Sequence, residues 1–389
     1  MKITELIDFK TFTYNWDKIE SIPEFAILKE CEQNPKWHAE GNAWVHTKLV
    51  CEAAVDFCKQ FHWEHEVGYT SLLLTSALFH DIGKGVTTRQ GKDGRWHAYG
   101  HEIESEKITR RLLWDSDFDH MFRFREDVCS LVRCHMMPLQ VFESKNMLEK
   151  IAEISRNVPY WHILILLKKC DIIGSWQNDE VSKTADLIKM DSLEKITRQM
   201  GCLYKPFLDY SNDYKEYISS QTKKHVDVAV MIGLPGAGKS TISEKLKSGD
   251  GVFKDAVIIS RDDIRAELGF CQKGQKVVLP KEKEALVSER FNDKMLIAAK
   301  CGKPIILDNL NIRKEYRLAY RTVLSNYDVT WHYYYIEAPT LDENMKRRNG
   351  EINDNTFFDM IGKFEMPMYD EYDSFVCIKT DEKPEIPCE

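Results

Sequence analysis

The sequence lacks several features, and each absence removes a class of protein. No apolar run approaches the ~18 residues needed to cross a bilayer; runs such as Ile163–Leu167 fall far short. The opening residues, MKITELIDFKTF, carry no apolar core behind a basic stretch and so do not read as a signal peptide. A soluble, cytoplasmic protein with no membrane partner is expected. The 11 cysteines include no C-x-x-C pair, which argues against a zinc ribbon or a thioredoxin-like redox site. In a reducing compartment they read as small buried hydrophobes. Positive charge is not in excess either. A net charge of -8 excludes a protein that coats nucleic acid non-specifically, though not local basic patches. There are no internal repeats and no low-complexity segments.

What is present is enough chain for two domains. The 389 residues are 43% hydrophobic, the range of globular proteins, and a domain usually takes about 100–200 residues. The first half reads as helix after helix, with apolar residues at helical spacing over Trp44–Lys59, Thr70–Phe79, Glu102–Trp114, Phe124–Cys134 and Tyr160–Ile173. Between them, Gly83–Tyr99 reads as a loop with a short hairpin. A polar stretch, Ser211–Lys224, marks a boundary. We therefore expect an all-α domain over residues 1–210, a linker over 211–225 and a second domain over 226–389. In the latter, strand candidates Asp227–Ile232, Ala256–Ser260, Pro304–Asp308, Val329–Glu337 and Phe375–Thr380 alternate with helical patterns. That alternation predicts an α/β domain with a parallel sheet.

The first of these strands runs directly into Gly233-Leu-Pro-Gly-Ala-Gly-Lys-Ser240 and Thr241. Strand, glycine-rich loop and helix in this order is the context a phosphate-binding P-loop requires. Gly233, Gly236, Ala237, Gly238, Lys239, Ser240 and Thr241 are thus expected to bind a nucleoside triphosphate. The glycines let successive N–H groups face phosphate oxygens. Lys239 reaches the outer phosphates, and the Ser240 hydroxyl holds Mg²⁺. The second strand ends in Ser260-Arg-Asp-Asp-Ile-Arg265. A carboxylate there can accept a proton from an attacking hydroxyl, or Asp262 or Asp263 can simply cap the helix that follows. Asp308, closing the third strand, fits the carboxylate that supports Mg²⁺. The basic cluster Lys346-Arg-Arg-Asn349 reads either as a lid over the triphosphate or as a solvated helix end.

Together, GLPGAGKST, SRDDIR and LDNLN resemble the 5'-hydroxyl polynucleotide kinases of the phage end-repair type, over about Val226 to Asp373. The resemblance implies that Asp262 is the general base for a 5'-OH and that Arg265 contacts phosphate. It implies a lid arginine in Asn344-Met-Lys-Arg347, with Arg348 as a competitor. The closing segment Phe364-Glu-Met-Pro367 is also similar to that family.

The first half holds a different constellation. His46 lies in a helical pattern, His80-Asp81 ends an apolar helix with Gly83 as its stop, His101 opens a helix and His135 ends one. Asp171 falls late in an apolar run, where a charge is costly unless paired or metal-bound. Imidazoles with carboxylates suit divalent transition metals. Lys84, four residues after His80, shares its helical face and could meet a phosphate oxygen. A lone histidine is usually structural, and His38, His62, His65, His97, His120, His162, His225 and His332 are read that way.

The ordered set resembles the HD-domain phosphohydrolases from about Trp37 to Ser175, and the stretches AEGNAWVHT and HDIGKGVTT are similar to the HD domain appended to some tRNA nucleotidyltransferases. The resemblance implies that His46, His80, Asp81 and Asp171 ligate one metal and that His101 and His135 complete a second site. The chemistry is metal-assisted phosphoester hydrolysis with one or two ions.

Both halves in one chain resemble the bacterial HD-domain polynucleotide kinases. That resemblance implies a bifunctional enzyme acting on RNA or DNA ends in nucleic-acid repair. The kinase would move phosphate from ATP or another NTP to a 5'-OH, and the HD domain would remove a 2',3'-cyclic phosphate or a 2'-phosphate. The residues alone also allow a nucleoside or sugar kinase fused to a nucleotidase. Lys92-Asp-Gly94 reads as a turn and not as a ligase motif, so a separate ligase partner is implied. Arg313, Lys314, Arg317 and Arg321 form a basic helical stripe that could track a phosphate backbone or be an ordinary solvated face.

Overall fold

The computed structural model describes residues 1–36, 38–60, 67–117, 121–158, 160–176, 180–203, 224–272, 277–347 and 354–380. The chain divides into two compact units, residues 1–207 and 208–389. Most of the expected linker, together with His62, His65, His120, Arg348 and Cys388, lies outside the described residues.

Among its described residues the N-terminal unit is mainly helical, with two antiparallel pairs of two-residue strands, Ile7–Asp8 with Thr13–Tyr14 and Arg89–Gln90 with Trp96–His97, and an isolated bridge between Glu32 and Asn42. The second pair is the hairpin expected in the loop after Gly83. Five helices frame the unit: α1 (Ala43–Gln60), α2 (Val67–Phe79), α3 (His101–Leu113), α4 (Met121–Cys134) and α5 (Trp161–Gly174). Helix α5 packs on both α1 and α2, and α4 packs on α2 and α3. The reason is composition. Helix α2 (VGYTSLLLTSALF) has no charged residue on any face, which suits a helix enclosed by others. In α5, Ile163, Leu164 and Leu167 are fully buried, and each such side chain stabilises the fold by about 1.5–3 kcal/mol relative to exposure. That packing holds the polar residues Lys168 and Asp171 of the same helix inside the protein.

The C-terminal unit is built on a five-stranded parallel sheet: β1 (His225–Ile232), β2 (Val257–Ile259), β3 (Ile305–Asp308), β4 (Asp328–Glu337) and β5 (Ser374–Lys379), in the spatial order β2-β3-β1-β4-β5. Its central strand reads as a continuous apolar run, Val228 to Ile232 being wholly buried, as strands covered on both faces do. The chain leaves β1 for β2 and β3 on one side, then places β4 and β5 on the other. The reversal of order therefore falls at β1, and in open α/β sheets ligands bind at the carboxyl ends of the strands at such a point. Register supports this arrangement, since Met231 of β1 stands opposite Asp308 of β3. Helices α6 (Lys239–Ser248), α7 (Arg261–Glu267), α8 (Lys281–Cys301), α9 (Lys314–Val323) and α10 (Leu341–Lys346) complete the parts that matter for the site.

Three expectations need correction. The basic stripe on α9 is not one face: Arg317 is fully buried against Glu371, and Arg321 donates to the Glu371 carbonyl at 2.6 Å. Gly83 has an ordinary right-handed φ of -68°, so it does not end α2 through a left-handed turn. Its role is close approach, because a Cβ there would lie 2.3 Å from the His101 carbonyl oxygen and 2.4 Å from the Ser105 nitrogen. The seven described cysteines of the N-terminal unit are buried, but Cys271 is half-buried and Cys301 and Cys377 are exposed.

Candidate active sites

In the N-terminal unit, His46, His80, Asp81, His101, His135 and Asp171 come from five separate places in the chain and converge. Nε2 of His80 lies 3.4 Å from Nε2 of His46 and 3.3 Å from Oδ2 of Asp81. Oδ1 of Asp171 stands 3.1 Å from Nε2 of His46 and 4.0 Å from Nε2 of His80. On the other side of Asp81, Oδ1 is 3.1 Å from Nε2 of His101 and 3.8 Å from Nε2 of His135, and those two nitrogens are 3.3 Å apart. Five of these residues form two triads that share Asp81, namely His46–His80–Asp81 and Asp81–His101–His135, and a further group, His38–Glu40–His46, adjoins the first.

The donor set fits divalent metal on several grounds. Nδ1 of His80, His101 and His135 each bonds a backbone carbonyl three residues earlier, of Ala77, Ala98 and Val132, at 2.8, 2.9 and 2.7 Å. A neutral ring that donates through Nδ1 presents a bare lone pair at Nε2. These lone pairs face one another, which is unfavourable unless a cation lies between. Two nitrogens at about 2.0–2.1 Å from one tetrahedral or octahedral ion stand roughly 3.0–3.4 Å apart, matching the observed spacings. Oδ1 of Asp81 is buried and has no hydrogen-bond partner among the described residues.

The electrostatics keep both carboxylates ionised. Burial raises the Asp81 carboxyl, but Lys84, His80 and His101 outweigh it and hold the group well below the usual carboxylate range. Asp171 is likewise held low, against its burial, by Lys168 and His46. Burial opposes charge on His46, yet the hydrogen bond to Asp171 and the Glu40 carboxylate beside its ring push its pKa up to about 9. His135 goes the other way, lowered by burial and by the charges of His101 and His80.

Two lysines flank the cluster. Lys84 Nζ lies 2.6 Å from Oδ2 of Asp81 and donates to Gln33 at 2.7 Å. Lys168 Nζ lies 2.7 Å from Oδ2 of Asp171. Lys168, Gln33 and Glu40 were not legible as site residues. Lys168 shares a helical face with Asp171, which is a usable signal, whereas Gln33 and Glu40 precede α1 and reach the site only through the fold. Of the histidines read as structural, His162 bonds the Leu203 carbonyl, and His225 and His332 pair with Asp328 and Asp227. His38, however, touches the cluster through Glu40 at 2.8 Å.

In the C-terminal unit, the loop after β1 turns through Gly236 and Gly238, whose φ values of +82° and +100° favour glycine. A Cβ on Gly233 would lie 2.3 Å from the Ile336 carbonyl oxygen. Lys239 Nζ donates to the carbonyls of Gly233 and Leu234 at 3.0 and 2.9 Å, folded back over the loop. Ser240 and Asp308 both line the cleft, and burial raises the Asp308 carboxyl against the opposing pull of Ser240 and Lys239. A hydroxyl and a carboxylate lining one cleft beside a phosphate loop fit Mg²⁺.

Across an open cleft of about 1100 Å³ stand Asp262, Arg265 and Arg347. Helix α7 is capped by Ser260, whose hydroxyl oxygen accepts from the Asp262 N–H at 3.2 Å. Neither aspartate is therefore the cap. Asp262 is half exposed in the cleft and paired with Nη1 of Arg265 at 2.6 Å. Arg265 also bonds Glu284 of α8 at 3.0 Å. Arg347 reaches Thr380 at 2.9 Å, and Asn344 of the same helix end donates to the Pro235 carbonyl of the loop. Sequence reasoning missed the far wall of the cleft, formed by Glu284, Ser288 and Phe291 of α8 and Tyr316 and Tyr320 of α9.

Comparison with known proteins agrees with this division. Residues 45–158 match the HD domain family, and residues 228–367 match the AAA domain family. The chain thus carries a helical HD domain followed by a P-loop kinase domain on a parallel sheet. The HD match implies divalent metal, and the P-loop implies a nucleoside triphosphate with Mg²⁺. A multifunctional CCA protein from Pasteurella multocida is 30% identical over 114 residues, 29% of this chain and 25% of that protein. The chain thus spans about a quarter of this relative's length. Among solved structures, the Pnkp1/Rnl/Hen1 RNA repair complex is 15% identical, covering 36% of this chain and 44% of that chain with a TM-score of 0.29. A sugar kinase from Janibacter sp. HTCC2649 is 18% identical, covering 42% and 89% with a TM-score of 0.30. No described helix is long and apolar enough to cross a membrane.

Proposed function

We propose that this chain heals both ends of a broken RNA or DNA strand in the cytoplasm, leaving the joining step to a separate ligase. The observation that carries this reading is the pairing in one chain of a cleft suited to adding a phosphate and a centre suited to removing one.

In the C-terminal cleft, Lys239 and the loop amides of Gly233, Gly236, Ala237, Gly238, Ser240 and Thr241 bind ATP or another NTP. Ser240 and Asp308 hold Mg²⁺. Asp262 accepts the proton of a 5'-hydroxyl as it attacks the γ-phosphate. Arg265 orients Asp262 and neutralises the phosphate, and Arg347 closes over it. In the wall backed by Phe291 and Tyr320, the exposed Tyr316 offers a face for a terminal base.

In the N-terminal unit, His46, His80, Asp81 and Asp171 hold one divalent transition metal ion, and Asp81, His101 and His135 a second. When bound, the ions supply Lewis acidity and an activated water for phosphoester hydrolysis. Lys84 releases Asp81 to bind a phosphate oxygen of the 2',3'-cyclic phosphate or 2'-phosphate, and the buried donors keep the geometry fixed through turnover.

Labelled ATP offered to a 5'-OH oligonucleotide and to a panel of nucleosides and sugars tests the acceptor. Label on the oligonucleotide supports the proposal. Label on the small molecules alone would instead make the chain a nucleoside or sugar kinase fused to an HD nucleotidase.

A further inference from the structure

One of the four inward-facing imidazoles is held differently from the others. Three rest their Nδ1 on neutral backbone carbonyls, whereas Nδ1 of His46 lies 2.9 Å from Oε1 of Glu40, whose side chain is shielded from solvent. Glu40 is itself pinned. Its Oε2 accepts the Trp176 backbone N–H at 2.8 Å, its Oε1 meets Nδ1 of His38 at 2.8 Å, and the preceding Ala39 N–H donates to the Trp176 carbonyl at 2.8 Å. Trp176 lies just beyond α5, the helix that carries Asp171. Glu40 therefore ties the segment ahead of His46 to the segment behind Asp171.

We propose that Glu40 is a positioning residue that makes the His46–His80–Asp81–Asp171 side the tighter of two metal sites. A carboxylate behind an imidazole fixes the ring's tautomer and orientation and makes its far nitrogen a more basic ligand. A neutral carbonyl does the same more weakly, because it brings no net charge to the ring as the Glu40 carboxylate does at 2.9 Å. Burial strengthens the difference. On the His101–His135 side carbonyls stand behind both rings, and the carboxylate near His101, that of Glu102, is 3.8 Å from Nδ1 and partly open to solvent. This inference rests on reading the N-terminal constellation as a two-metal centre.

Titrating the full chain with Mn²⁺ alone, by calorimetry, tests it. The unmodified chain should take up two ions with unequal affinity, and His101→Ala should remove only the weaker step. Glu40→Gln should weaken the tighter step about 10–100-fold and leave the weaker one in place. The melting temperature of the metal-free chain, measured alongside, separates loss of affinity from loss of fold. If Glu40→Gln does not fold, Glu40→Asp carries the test and should weaken the tighter step only. A tighter step unmoved by either variant, or both steps weakened equally, overturns the proposal alone. A chain that takes up no Mn²⁺ overturns the metal reading with it.

Discussion

Arg317 and Glu371 meet in a two-pronged ion pair, Nε to Oε2 at 2.7 Å and Nη2 to Oε1 at 3.3 Å, with neither side chain reaching solvent. Arg317 also donates to the Asn311 carbonyl at 3.0 Å, so the pair anchors the segment that follows β3. Removing one partner leaves the other buried and uncompensated, a loss of about 3–5 kcal/mol, whereas replacing both with apolar residues is often neutral. Arg317→Met should therefore unfold β4 and β5 at lower urea, read by hydrogen exchange. Arg317→Met with Glu371→Met should recover most of the loss.

That pair also marks where sequence reading stops. Helical spacing says which residues share a face, but not which way the face looks. Arg317 is neutralised by a residue 54 positions away, and no local pattern reveals it. The strands were legible to within a residue or two because buried parallel strands are short apolar runs. The histidines and aspartates of the HD site were legible because they fall at helix ends in a fixed order. Glu40 and Lys168 were not, since their meaning depends on what α1 and α5 bring together.

Burial moves two groups of the N-terminal unit in opposite directions. It raises Asp127 to about 6, partly offset by Arg123, and lowers His162 to about 4. For Asp127 the folded value exceeds the unfolded one. Its contribution is full below about pH 4 and lost as pH rises through about 6, a difference of roughly 2–3 kcal/mol. For His162 the folded value is depressed, so its contribution is full above about pH 6.5 and lost as pH falls through about 4. Urea midpoints between pH 4 and 7 should show Asp127→Asn gaining on the unmodified chain as pH rises. His162→Gln should gain as pH falls.

Asp262 reaches the cleft without capping its helix, which frees it for proton transfer. Asp262→Asn should lower the kinase kcat about 10²–10⁴-fold, the usual worth of a positioned general base. Binding of a fluorescent ATP analogue should stay nearly unchanged, because Lys239 and the loop hold the nucleotide. An equal loss in nucleotide binding would assign Asp262 to the donor side instead.

Gly83 lies against the first turn of α3, where a Cβ would meet the His101 carbonyl oxygen and the Ser105 nitrogen, both backbone atoms that cannot swing aside. Gly83→Ala should displace His101 and weaken Mn²⁺ uptake at the Asp81–His101–His135 side. Kinase activity, which depends on residues of the other unit, should be retained.

The measurement that tests the account most directly uses a short RNA carrying a 5'-OH and a 2',3'-cyclic phosphate, incubated with ATP, Mg²⁺ and Mn²⁺. The unmodified chain should modify both ends, Lys239→Ala only the 3' end and Asp81→Ala only the 5' end. A chain that changes neither end, or variants that each lose both activities, would contradict it.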